Sequence, residues 1–205
     1  MKTYFGTLLL IILIQYNTTG QEKPQPFEKA IFEKARINGE DASKFFLKTI
    51  HYPFNPTVGT LIDGSVFVSF IIDKEGKIDS IKVLNEANEL FKEEVFTALG
   101  NSSGLWKPTN FDGIVLYKKY IASFNFNRSN AFQYKKDKSF QYYKRGDMRK
   151  ALKLINEAIK IDPYNIGSYQ ARAMIYKKQK NHEMEDHDLE KCVELNSDLL
   201  FDIWF

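Results

Sequence analysis

The sequence predicts an α+β fold: a three-stranded antiparallel sheet with helices on one face, followed by an all-α helical-repeat domain. Two patterns predict it. Val66, Val68, Phe70 and Ile72 recur at every second position, the signature of a strand with a fully apolar face. From Asn130 onward the spacing turns helical and residues recur at an offset of 34. Tyr142 matches Tyr176, Ile155 matches Leu189, Ala158 matches Cys192, and Asp162-Pro163 matches Asn196-Ser197.

In chain order, Gln21 to Pro26 is a short, polar, proline-containing lead-in. Phe27, Ile31 and Ala35, with Gly39 beyond, predict a short amphipathic helix over 27–37, and Phe45, Phe46 and Ile50 predict a second over 42–50. The first sheet strand ends at a loop, Asp73-Lys74-Glu75-Gly76, with glycine where φ must turn positive. Lys77 to Leu84 returns as its partner. There Ile78, Ile81 and Val83 break strict alternation, which places a bulge between Ile78 and Ile81. Leu90, Phe91, Val95, Ala98 and Leu99 line one stripe of a helix over 87–99 that stops at Gly100-Asn101. Asn110-Phe111-Asp112-Gly113 is a turn, and Leu116, Tyr120, Ala122, Phe124 and Phe126 fall on one side of a long third strand.

Composition bounds the answer. With 205 residues, 43% of them apolar, the chain suits one or two small packed domains. A formal charge of +3 is too near neutral to point to nucleic acid. Lys2, the run Leu8 to Ile14 and the small or polar Asn17-Thr18-Thr19-Gly20 have the layout of a secretory signal peptide over 1–20. That layout predicts a periplasmic or secreted protein. The rival is an inner-membrane anchor, but a span takes about 20 apolar residues and Tyr4 to Tyr16 supplies fewer. Cys192 is the only cysteine, so the fold must hold by packing rather than by an internal disulfide.

The sheet segment carries a set of motifs: His51-Tyr52-Pro53, Asp63-Gly64-Ser65-Val66-Phe67-Val68-Ser69-Phe70, Asp73-Lys74-Glu75-Gly76-Lys77-Ile78, Leu105-Trp106-Lys107-Pro108, Asp112-Gly113 and Phe124-Asn125-Phe126. Together they resemble the C-terminal domain of the TonB family over residues 45–126. The resemblance implies a non-enzymatic periplasmic domain that binds an extended segment of an outer-membrane receptor or another envelope protein. An incoming strand would satisfy the unpaired N–H and C=O groups of a sheet edge. The third strand, Val115 to Phe126, is the candidate edge, with Val115, Tyr117, Lys118, Lys119, Ile121 and Ser123 as its partner-binding residues. A homodimer through sheet edges is a further option. The alternative role is a TonB-type energy transducer for outer-membrane transport, which needs a membrane helix and a long proline-rich spacer. Here only Pro24 and Pro26 stand in the short lead-in, so an adaptor fits better.

The first helical copy, with Tyr142-Tyr143-Lys144-Arg145-Gly146-Asp147, Ala151, Ala158 and Asp162-Pro163, resembles the tetratricopeptide repeat, and the second copy departs from it at Glu185 and Ser197. The domains so read are a lead-in and short helix over 21–44, the TonB-like domain over 45–128, and two repeats over 131–205. Two repeats are fewer than the roughly three such a stack needs, so the pair should lean on the sheet or on a partner. The apolar tail Leu199 to Phe205, the C-terminal cap of the repeats, reads either as simple core packing or as the start of a capping helix that closes the stack.

No chemistry of catalysis emerges. His182-Glu183 with His187 misses the zinc-protease spacing by one residue, and no Gly-x-Ser-x-Gly elbow or phosphate loop is present. The expectation is therefore no enzyme, no cofactor, no metal and no small-molecule substrate. Charge is uneven, with 13 basic and 4 acidic residues over 131–182, against 1 basic and 8 acidic over 183–205. Either the two halves attract each other, or the basic half forms a groove for an acidic partner segment.

Overall fold

A computed structural model describes residues 32–55, 60–61, 63–127 and 130–205. The signal peptide, the lead-in and the first part of the expected 27–37 helix lie outside them. In order, the elements are β1 (Phe32–Glu33), β2 (Arg36–Ile37), α1 (Ala42–Thr49), β3 (Phe54–Asn55), β4 (Thr60–Leu61), β5 (Gly64–Ile72), β6 (Ile78–Val83) and α2 (Glu89–Ser102). They continue with β7 (Trp106–Lys107), β8 (Asn110–Phe111), β9 (Ile114–Val115), β10 (Lys118–Phe126), α3 (Ala131–Arg145), α4 (Met148–Ile161), α5 (Ile166–Lys178), α6 (His182–Asp198) and β11 (Leu199–Trp204).

The central sheet forms where the period-two pattern predicts. β5 and β10 pair antiparallel in unbroken register from Lys118↔Ile72 to Phe126↔Gly64. β6 pairs with the other flank of β5, and its bulge falls between Asp79 and Lys82, where Ser80 adopts a φ of 55°. Gly76 closes the hairpin at a φ of 77°, and any Cβ there would collide with the Trp106 carbonyl oxygen.

One sheet face presents Val66, Val68, Phe70 and Ile72 from β5 and Tyr120, Ala122, Phe124 and Phe126 from β10, all buried. α1 and α2 cover it. Asp41 caps α1, accepting from the Ser43 N–H at 2.9 Å, and Asn88 caps α2, accepting from the Leu90 N–H at 3.0 Å. Phe46 of α1 meets Phe124 edge-on at 5.3 Å between ring centroids, and Phe91 of α2 stacks on Phe126 at 4.6 Å. Trp106, expected to fix the loop into the third strand, is buried with its Nε1–H donating to Ser102 Oγ at 3.0 Å.

Four expectations change. The part of the 27–37 helix that is described is extended, because β1 pairs with β8 and β2 with β7, and Asn38-Gly39, both at positive φ, turn the chain. The apolar tail is a strand, not a capping helix: Phe201 and Ile203 recur at period two, and β11 lies parallel against β10. The sheet therefore has four strands, in the order β11-β10-β5-β6. Its second face is also covered. Phe67 meets Tyr164 at 5.0 Å, and Trp204 of β11 stacks on Phe132 of α3 at 4.8 Å, so the helical repeats pack on this side. Among the described residues no helix is long and apolar enough to cross a membrane.

Candidate protein-binding surfaces

The six residues expected to grip a partner strand are not equally placed. β10 is paired on both flanks: Ile121 meets Ser69 of β5 and Leu199 of β11, and Ser123 meets Phe67 and Asp202. Ser123 is fully buried. That strand is therefore not an edge over 121–125, and Ile121 and Ser123 have no free backbone ladder to offer. The physical reason is the tail, which buries Phe201 and Ile203 by taking that flank itself, at about 1.5–3 kcal/mol for each side chain. Lys118 is also engaged. Its Nζ donates to the Ser197 carbonyl and to Ser197 Oγ, and lies 3.4 Å from the Asp198 carboxylate. Val115 of β9, Tyr117 beyond it and Lys119 of β10 have exposed side chains, while Val115 pairs with Asn110 and Lys119 with Ile71. The outer sheet strands are β6, broken by its bulge, and β11.

A second surface lies on the helices. α3 and α5 run as neighbours, and Lys178 of α5 reaches back to α3, with its Nζ 4.7 Å from the Tyr143 ring centre and donating to the Tyr143 carbonyl at 3.4 Å. Phe140 stacks beside Tyr143 at 6.3 Å, and Lys144 Nζ sits 4.5 Å from the Phe140 ring. Half of Phe140 is open to solvent, as is about half of Met174 on α5. Two ammonium groups over two rings present positive charge beside exposed apolar area, which suits an acidic segment carrying an apolar residue. The sequence pointed to a basic groove only through its charge balance. The signal for these particular residues was the i, i+3, i+4 run of Phe140, Tyr143 and Lys144.

The second pair is held by Arg172. Its Nε and Nη2 donate to the two carboxylate oxygens of the fully buried Asp188, at 2.8 and 2.6 Å, and its Nη1 donates to Asn156 at 2.8 Å. That bidentate hydrogen bond holds the guanidinium pKa above its ordinary value. Cys192 is buried at the small position where the helices approach, and burial pushes its thiol pKa up. His182 and His187 are exposed side chains of α6, and among the described residues no group of three or more His, Cys, Asp or Glu is placed to hold a metal.

Where the repeats meet the tail, two carboxyls come together. Asp162, at the end of α4, is fully buried, and its Oδ2 has no hydrogen-bond partner. Its Oδ1 accepts from the Tyr164 N–H at 3.0 Å. Burial first, and then the charge of Asp202 on β11, push the Asp162 pKa up to about 8. Asp202 in turn accepts from Asn125 at 2.8 Å and from Asn165 at 3.4 Å. A neutral Asp162 thus sits between the repeats and the sheet, a role invisible in its reading as a repeat terminus.

One of the two helical pairs is also recognised by comparison. Residues 166–199, the span of α5 and α6, match the family model of the tetratricopeptide repeat. This is the second of the two copies, the one that departs from the pattern at Glu185 and Ser197. Such a repeat suggests a protein–protein interaction module. No curated protein and no solved structure matches the chain significantly.

Proposed function

We propose that this chain is a non-enzymatic protein-binding adaptor of the bacterial cell envelope that holds an acidic, extended segment of a partner on the α3–α5 face. The observation that carries it is the cluster of Phe140, Tyr143, Lys144 and Lys178, with two cations seated over two exposed or half-buried rings. The tetratricopeptide match supports binding of a protein rather than of a small molecule. The signal-like layout of Lys2 and Leu8 to Ile14, with the TonB-like motifs of the sheet, supports an envelope location and an envelope protein or outer-membrane receptor as partner. In this reading the sheet is a platform, since its third strand is taken by the chain's own tail.

The test is fluorescence anisotropy with an array of labelled Asp- and Glu-rich peptides against the purified chain. Binding should weaken with salt. The double substitution Lys144→Glu and Lys178→Glu should lower affinity at least tenfold, or about 1.4 kcal/mol. Affinity unchanged by that charge reversal would remove the surface from the reading.

A further inference from the structure

The repeat offset shows which helix face lacks its cover. In α4, Ile155 is buried and Ile159 packs against buried residues of the helical layer that include Tyr169 and Ile175 of α5. The residues 34 positions on are Leu189 and Val193 of α6, and they are 45% and 72% exposed. The next helix covers the first pair. After α6 the chain leaves the stack as β11, so the equivalent row stays open. At 3.6 residues per turn, Asp186 lies on that row with Leu189 and Val193, with Glu190 at its margin.

The opposite end of the stack is built differently. On α3 the face turned away from α5 carries Tyr134, Lys138 and Arg145, with Gln141 between them. Tyr134 is 57% exposed, and the Lys138 ammonium lies 5.8 Å from its ring centre. One end is therefore aromatic and basic, and the other aliphatic and acidic. The charge balance of the two stretches, positive over 131–182 and negative over 183–205, runs the same way.

We propose that copies of this chain associate head to tail, the Tyr134, Lys138 and Arg145 row of one copy seating on the Asp186, Leu189 and Val193 row of the next. The incoming α3 takes the place on α6 that α5 takes on α4, continuing an interface the chain already makes within itself. A second copy fits better than an unrelated helix because both rows lie on this one molecule with opposite charge. A stack of two repeats also falls short of the roughly three that bury a continuous core, and a second copy adds two more. The contact is heterologous, so a pair of copies still has one free row of each kind and the assembly grows beyond a dimer. This surface is separate from the α3–α5 face, and neither proposal depends on the other.

Sedimentation of the purified chain over a concentration series, at low and at high salt, tests it. The average mass should rise past that of a dimer and fall back as salt screens the two rows. Val193→Glu and Lys138→Glu are both surface changes, and circular dichroism should show the helices intact in each. Each variant alone should remain monomeric, and an equimolar mixture of the two should form a discrete dimer, because one sound row of each kind survives. A monomer at every concentration would overturn the proposal. So would association that persists in Val193→Glu, or a mixture of the two variants that stays monomeric.

Discussion

The two helical pairs share a 34-residue spacing and differ in the segment that succeeds each of them. The first ends at Asp162-Pro163 and hands the chain to α5, so Ile155 is buried. The second ends at Asn196-Ser197-Asp198 and hands the chain to β11, so Leu189 and Val193 stand open. The residues downstream set the difference. A covering helix needs apolar residues at 3.6-residue spacing, whereas Phe201 and Ile203 come at period two and belong to a sheet. Closure of a repeat is decided by the segment after it, and here that segment closes the sheet instead.

The sharpest way to break this contrast is to spoil the tail. Phe201 lies against Phe46 at 5.0 Å and Phe124 at 5.3 Å, so β11 is part of the sheet's core and not an appendage. Phe201→Ala should cost about 3–5 kcal/mol in denaturant unfolding, as large-to-small changes in packed cores do. If the loss is below about 1 kcal/mol, the strand is only loosely laid on β10 and the third strand regains its standing as an edge.

The second pair offers a smaller break. Because β11 rather than a helix follows α6, the pair relies on its own contacts, Tyr169, Cys192 and Leu195 packed together and the buried Arg172–Asp188 pair. Asp188→Asn keeps the shape and removes the charge that accepts two guanidinium donors, so it should cost about 2–3 kcal/mol. The comparison variant Glu157→Gln in the first pair removes the partner of Lys135 at a partly exposed site, and should cost clearly less than Asp188→Asn. Equal losses in thermal unfolding would mean the two pairs are held in the same way.

Much of this was legible in the residues, and the failures share a cause. The strands β5, β6 and β10, the hairpin at Gly76, the bulge and the stripe of α2 are set by neighbours within a few positions, so local period and turn chemistry reveal them. The fourth strand is not local. Val115, Tyr117, Lys118, Lys119, Ile121 and Ser123 look like an edge while the tail is out of sight, and the tail that covers part of that strand lies 78 positions on, where Ile121 pairs with Leu199. The polar Ser123 and Asn125, on the side away from α1 and α2, are buried on the face that the repeats cover, which no local pattern reveals. Of the partner surface on the helices, the charge balance gave the sign and the chain fold gave the place.

The finest contrast between the pairs is their last acidic position. Asp162 in the first pair is matched by Asn196 in the second, and only Asp162 is buried against Asp202 of the tail. Its pKa is raised in the folded chain, from an ordinary 3.8 to about 8, so the native state holds a proton that the unfolded chain releases. Stability must then fall as pH rises from about 4 toward about 8, and level off above, by linkage. Between pH 7 and 8 the loss should be on the order of 1 kcal/mol. Asp162→Asn cannot ionise, and its amide can still donate toward Asp202 while its oxygen accepts from the Tyr164 N–H. Melting temperatures measured across that range should therefore slope downward in the native chain and run flatter in the variant. A variant whose slope matches the native one would show that Asp162 does not hold that proton at the junction between the tail and the two layers it joins, where Asp202 would then keep only its bonds from Asn125 and Asn165.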